Sequence, residues 1–157
     1  MLLNINNNKF IKQTLLGNLS MVNTIDMQDM RYLNLFEKIM RVRTRFCFRY
    51  NNTIVFCVPR PLMAKAIGEG GKNIKRMSGI LDKKIKVVVA PNGISDVKIF
   101  IKAVVSPVTF RDIEVKDNEV IVTGGTSKAA LIGRNKRRLF EMQKVVKDFF
   151  GKEFRVV

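Results

Sequence analysis

Residues 67–74 read Ile-Gly-Glu-Gly-Gly-Lys-Asn-Ile, and residues 132–139 return to the same frame as Ile-Gly-Arg-Asn-Lys-Arg-Arg-Leu. The correspondence runs past the turn: Ile67 aligns with Ile132, Gly68 with Gly133, Ile74 with Leu139 and Met77 with Met142. A duplication of this length constrains the fold more than any single motif, because both copies must build the same supersecondary unit.

The pattern around each copy supports that reading. Thr24 to Met40 opens with a capping signal and then spaces Met30, Leu33, Phe36, Ile39 and Met40 as one helical face. Arg43–Tyr50 and Thr53–Val58 alternate as strands about Asn51-Asn52, a favourable tight hairpin turn. Pro61 suits the first turn of a helix reaching Ile67. A second helix runs from Lys72 to about Leu81, and Lys86–Ala90 reads as a strand closed by Pro91-Asn92-Gly93.

The order α-β-β-α-α-β then repeats. Its second set is a helix over Ser95–Val105, strands over Val108–Val115 and Glu119–Thr123, a short helix over Ser127–Ile132, the Gly133–Lys136 turn, a long helix to about Phe150, and a final strand over Glu153–Val157. The expected class is α+β, with residues 1–22 as an extension, 23–91 as the first domain and 92–157 as the second.

Charge speaks about partners rather than fold. The formal net charge is +16, with 14 basic against 5 acidic side chains over residues 23–91 and 13 against 8 over residues 92–157. A polyanion is the natural partner. Histidine is absent, which removes the commonest general base and metal ligand. The two cysteines cannot make a zinc site. In the expected hairpin register Phe46 faces Cys57 and Phe48 faces Val55, so Cys47 and Cys57 lie on opposite sheet faces and no disulfide is expected. Neither a signal peptide nor a membrane span is legible in the sequence. The expectation is a cytoplasmic chain without cofactor, metal or catalytic activity.

The chemistry sits in the two turns. Glycines let a backbone approach a phosphodiester closely and aim free N–H groups at it. Ile67 and Ile74 would anchor the flanking helices and wall a shallow groove, with Lys72, Lys75 and Arg76 following on the helix. Glu69 is an acid inside the loop, where it would repel an approaching phosphate. In the second copy Lys136 replaces the last glycine, so a positive φ there would be strained. Arg134, Asn135, Lys136, Arg137 and Arg138 suggest either a copy that holds a polyanion by side-chain charge, with less backbone clamping, or a decayed motif on a solvated helix end. Arg41, Arg43, Arg45, Arg49 and Arg60 form a further basic cluster at the first hairpin. Gly124-Gly125-Thr126-Ser127-Lys128 lacks the spacing of a phosphate-binding P-loop, and no dinucleotide fingerprint follows a strand.

A helix–Gly-x-x-Gly–helix turn of this kind resembles the backbone clamp of KH domains, which read single-stranded RNA. With both copies in place, the chain is similar to the archaeal NusA-like transcription termination factors. The residues that carry the likeness are Met30–Glu37, Ala66–Arg76, Ser106-Pro107 and Ala130–Gly133. That resemblance implies two type II KH domains, each a three-stranded sheet packed by helices. It implies RNA contacts at Ile67, Gly68, Glu69, Gly70, Gly71, Lys72, Ile74, Lys75 and Arg76, and at Ile132, Gly133, Arg134, Asn135, Lys136, Arg137 and Arg138. It further implies nascent RNA as ligand, RNA polymerase as a candidate partner, no membrane, and a monomer. Lys136 and Glu69 depart from the family pattern. Two rival readings remain: a ribosome-associated KH protein, and a scaffold binding an acidic protein surface through the arginine cluster.

Overall fold

The computed structural model describes residues 26–157, which form one compact unit over residues 26–90 and another over 91–157. The extension expected over residues 1–22 and the Thr24 cap lie outside the described residues.

The first unit opens with helix α1 (Met27–Met40), whose cap is Asp26: its Oδ1 accepts from the Asp29 N–H at 2.7 Å. Tyr32, Phe36, Ile39 and Met40 make its buried face, while Met30, expected on that face, stands at its exposed edge. Strands β1 (Phe46–Tyr50) and β2 (Thr53–Val58) pair antiparallel about Asn51-Asn52, both with positive φ. That twist suits a two-residue hairpin. The register is the expected one, with Phe46 opposite Cys57 and Phe48 opposite Val55. β1 is shorter than the sequence pattern suggests, so Arg43 and Arg45 precede it.

A 3₁₀ turn at Arg60–Leu62 leads into α2 (Met63–Ile67), and the glycine turn into α3 (Lys72–Leu81). Strand β3 (Lys84–Val89) then pairs parallel to β2. A parallel pair needs a crossover, and α2 with α3 supplies it. The core is built where the helices meet the sheet: Phe36 stacks on Phe56 at 4.4 Å, with Ile54, Val58, Ala66, Met77 and Val87 around them.

The second unit repeats this order. It comprises α4 (Val97–Val105), β4 (Asp112–Val115), β5 (Glu119–Thr123), α5 (Lys128–Ile132), α6 (Arg137–Phe150) and β6 (Glu153–Val156). β5 is central, antiparallel to β4 and parallel to β6. The strand expected from Val108 begins only at Asp112. Residues after Ser106-Pro107 turn first, with the Val108 N–H donating to the Val105 carbonyl at 3.0 Å. Bonding to β5 starts where the Arg111 N–H meets the Thr123 carbonyl. Phe100, Phe149 and Phe150 cluster in the core, with Phe100 and Phe149 centroids 5.0 Å apart. The fold is therefore α+β, with two three-stranded mixed sheets packed by helices, as tandem KH-like domains require.

Cys47 and Cys57 are both free thiols, and burial pushes the Cys57 thiol far above its usual range. Such a thiol is inert. Among the described residues no helix is long and apolar enough to cross a membrane. No group of three or more His, Cys, Asp or Glu side chains in those residues is placed to hold a metal ion.

Candidate nucleic-acid interface

The glycine turn is set by three backbone positions. Gly68 has φ 77° and ψ 165°, Gly70 φ 62° and ψ 19°, Gly71 φ 74° and ψ 19°. The second turn takes the same path: Gly133 at 75° and 171°, Asn135 at 55° and 27°, Lys136 at 59° and 22°. The first position in each lies in a region open essentially to glycine alone. Space forbids a side chain there as well. A Cβ on Gly68 would come within 2.9 Å of the Asn73 side chain, and one on Gly133 within 2.8 Å of the Arg138 side chain. The later two positions are left-handed helical, which Asn tolerates and Lys tolerates at a cost. A Cβ at Gly70 or Gly71 would touch nothing within 4 Å.

The second copy therefore keeps the shape where only glycine can give it and substitutes where other residues can. Lys136 is held at positive φ, and the loop path is unchanged.

Each turn also presents free donors. The Gly71 N–H goes to the Gly68 carbonyl at 3.1 Å and the Lys136 N–H to the Gly133 carbonyl at 3.2 Å, and Lys72 and Arg137 close the next 3₁₀ bond. Among the described residues the N–H groups of Glu69 and Gly70 have no acceptor, nor do those of Arg134 and Asn135. They are the unsatisfied donors that precede a helix, and they belong to exposed residues just before α3 and α6, where the helix dipole favours an anion.

A side chain in each copy fastens the turn from below, and the sequence reading missed its role. Asn73 donates through Nδ2 to the Lys65 and Ala66 carbonyls, both at 3.2 Å. Arg138, its counterpart in the repeat, donates through Nη1 to the Ala130 carbonyl at 2.9 Å. Lys65 and Ala130 are themselves equivalent. The bonds satisfy carbonyls that the short helices α2 and α5 leave open at their ends. The repeat alignment alone places Asn73 against Arg138, and that pairing of two donors was the available signal.

The other candidates divide by exposure. Glu69, Lys72, Lys75, Arg76, Arg134, Asn135, Lys136 and Arg137 are exposed, while Ile67, Ile74, Ile132 and Arg138 are half-buried. Ile67 and Ile74 pack against the core of the first unit, fixing the helices on either side of the turn. The arginine cluster at the hairpin does not form one free face. Arg43 pairs with Glu37 at 3.3 Å, Arg45 is half-buried, and the Arg49 guanidinium lies 5.8 Å from the Tyr32 ring centroid.

Comparison with known proteins gives a consistent picture. No protein-family model matches the chain. Over 100 residues, 62% of its length, the chain is 30% identical to the "Probable transcription termination protein NusA" of Methanococcus vannielii. The match covers 56% of that relative, so the chain spans about half of the relative's length. The crystal structure of APE1850 superposes with a TM-score of 0.62 and 28% identity, covering 84% of this chain and 99% of that one. In sequence the chain is similar to an archaeal protein named as a probable NusA, and in fold it is similar to APE1850.

Proposed function

We propose that this chain binds single-stranded RNA, with residues 23–91 and 92–157 as paired KH-type domains, and acts on nascent transcripts in elongation or termination alongside RNA polymerase. The observation that carries the reading is the duplicated turn: two loops of unlike sequence with one backbone path, each presenting unsatisfied N–H groups beside a helix N-terminus. A structural hairpin would not need that path kept against the strain at Lys136. Net charge +16 favours a polyanion, and the similarity to a NusA-type protein supports transcription as the setting. No catalytic step belongs to this reading. The phosphodiester backbone lies on the turn, bases rest against the aliphatic wall of Ile67 and Ile74 or of Ile132, and the exposed cations neutralise phosphates.

Anisotropy titration with short single-stranded RNA tests it. Each KH unit accommodates about four nucleotides, so log–log salt slopes of about −3 with one unit engaged and about −6 with both are expected. Asp placed at both Glu69 and Gly70 should weaken binding about tenfold or more while costing no more than about 1 kcal/mol of stability. A flat salt response, or unchanged affinity in that variant, would rule the turns out as the contact. Recovery of RNA polymerase from cell extract supports the transcription setting, and recovery of ribosomal subunits instead would replace it with the ribosomal one.

A further inference from the structure

Among the described residues Phe140 is the only aromatic side chain standing mostly in solvent, at 57% exposure. It lies on the first turn of α6, about 6 Å along the helix axis from Lys136. That helix turns Met142, Val145, Val146, Phe149 and Phe150 inward, leaving Arg137, Phe140, Lys144 and Lys147 on the outer face at helical spacing. Lys147 is paired with Glu153 at 3.1 Å, whereas Arg137 and Lys144 bracket the ring as exposed cations. Of the two acids on α6, Glu141 is half-buried and Asp148 is buried. The repeat gives the contrast: the counterpart of Phe140 in the first unit is Lys75, so only the second unit carries a ring at this place.

A lone exposed apolar residue is ordinary on a protein surface. An exposed ring between two cations, directly beyond a turn with free N–H donors, has a narrower meaning. The cations suit phosphates, and the ring offers a flat face that every nucleobase can match, whatever its hydrogen-bonding edge. The geometry points to Phe140 as a stacking platform for one base of a single-stranded RNA leaving the second turn. This rests on the reading of that turn as an RNA contact. The second unit would thereby gain a base contact to offset its missing glycines, without gaining sequence preference.

The chain has no tryptophan, so Phe140→Trp installs a single tryptophan at the platform, excited selectively at about 295 nm over the two tyrosines. Its emission should be quenched by a short oligouridylate and left unchanged by inorganic polyphosphate, which supplies charge without bases. Phe140→Ala and Phe140→Leu should each weaken oligouridylate binding about tenfold, since Leu keeps the apolar bulk but not the ring. One abasic nucleotide, walked along the oligomer, should cost the unaltered chain affinity at one position and cost Phe140→Ala nothing further there. Equal quenching by polyphosphate, wild-type affinity in the Leu variant, or wild-type affinity in the Ala variant overturns the platform while leaving the turns as the RNA contact. Wild-type affinity in the Ala variant would also be the result if the ring served an acidic protein surface. Failure of the unaltered chain to bind RNA at all overturns both readings together.

Discussion

The Gly68–Gly71 turn carries three glycines and an acid, and the Gly133–Lys136 turn carries one glycine and two cations, yet at the three positive-φ positions of each their φ and ψ values agree within about 15°. The difference separates two demands that a glycine count confuses. At Gly68 and Gly133 both conformation and space exclude a side chain; at the other positions only conformation does, and there other residues can pay in strain. Evolution of one copy could therefore exchange flexibility for charge without moving the loop. The first unit keeps an uncharged glycine face, marred by Glu69, and the second surrounds the same path with Arg134, Lys136 and Arg137.

The comparison breaks most easily at the shared glycine. Gly68→Ala and Gly133→Ala should each destabilise their unit by about 2 to 3 kcal/mol, from backbone strain plus the displaced Asn73 or Arg138 side chain. Gly70→Ala and Gly71→Ala, in open space, should cost about 1 kcal/mol each. Urea unfolding of the four variants measures the order. Equal losses at all four positions would mean that the two demands are not separable.

The fastening bonds give a smaller effect that sharpens the contrast between copies. Arg138→Ala removes a charged donor from the Ala130 carbonyl and should lose about 1.5 kcal/mol; Asn73→Ala, which gives up two long neutral bonds, should lose about 1 kcal/mol. Arg137→Ala should leave stability within about 0.5 kcal/mol and weaken RNA binding instead, because its side chain is exposed. Parallel unfolding and RNA titrations distinguish the neighbours. A stability loss at Arg137, or none at Arg138, would reverse their roles.

That division of labour marks the limit of what the sequence shows. The element order and the hairpin register were legible because alternation, helical spacing and the repeat are local or periodic properties; the positive φ that Lys136 adopts was not, since a lysine there signals only strain. Nor was Arg138. Within the run Arg134–Arg138 every cation looks alike, and only the folding back of α5 and α6 turns one guanidinium toward Ala130. Strand β4 misled for a related reason: Val108 to Val115 has the right composition, but the turn after Pro107 takes its first residues out of reach of β5. The hairpin arginines share a period, yet Glu37 and Tyr32, both on α1, engage Arg43 and Arg49. Periodicity assigns residues to faces, and it does not say which faces a neighbouring element will occupy.

The finest test reverses a single difference between the turns. Lys136→Gly removes left-handed strain of about 1 to 2 kcal/mol but frees the unfolded chain by about 0.4 to 1 kcal/mol, so a net gain of about 0.5 kcal/mol is expected. Gly71→Lys runs the same exchange backwards in the first unit and should lose a similar amount. RNA affinity should move the opposite way to stability in both variants. Lys136→Gly deletes a cation from an unchanged path, and Gly71→Lys adds one beside Lys72, so the less stable protein should bind the tighter. A salt titration completes the argument, since the log–log slope should fall by about 0.7 in the first variant and rise by the same amount in the second. Should affinity instead follow stability, the turns would be recognising RNA through rigidity of the backbone, and the cations of the second copy would be solvated bystanders.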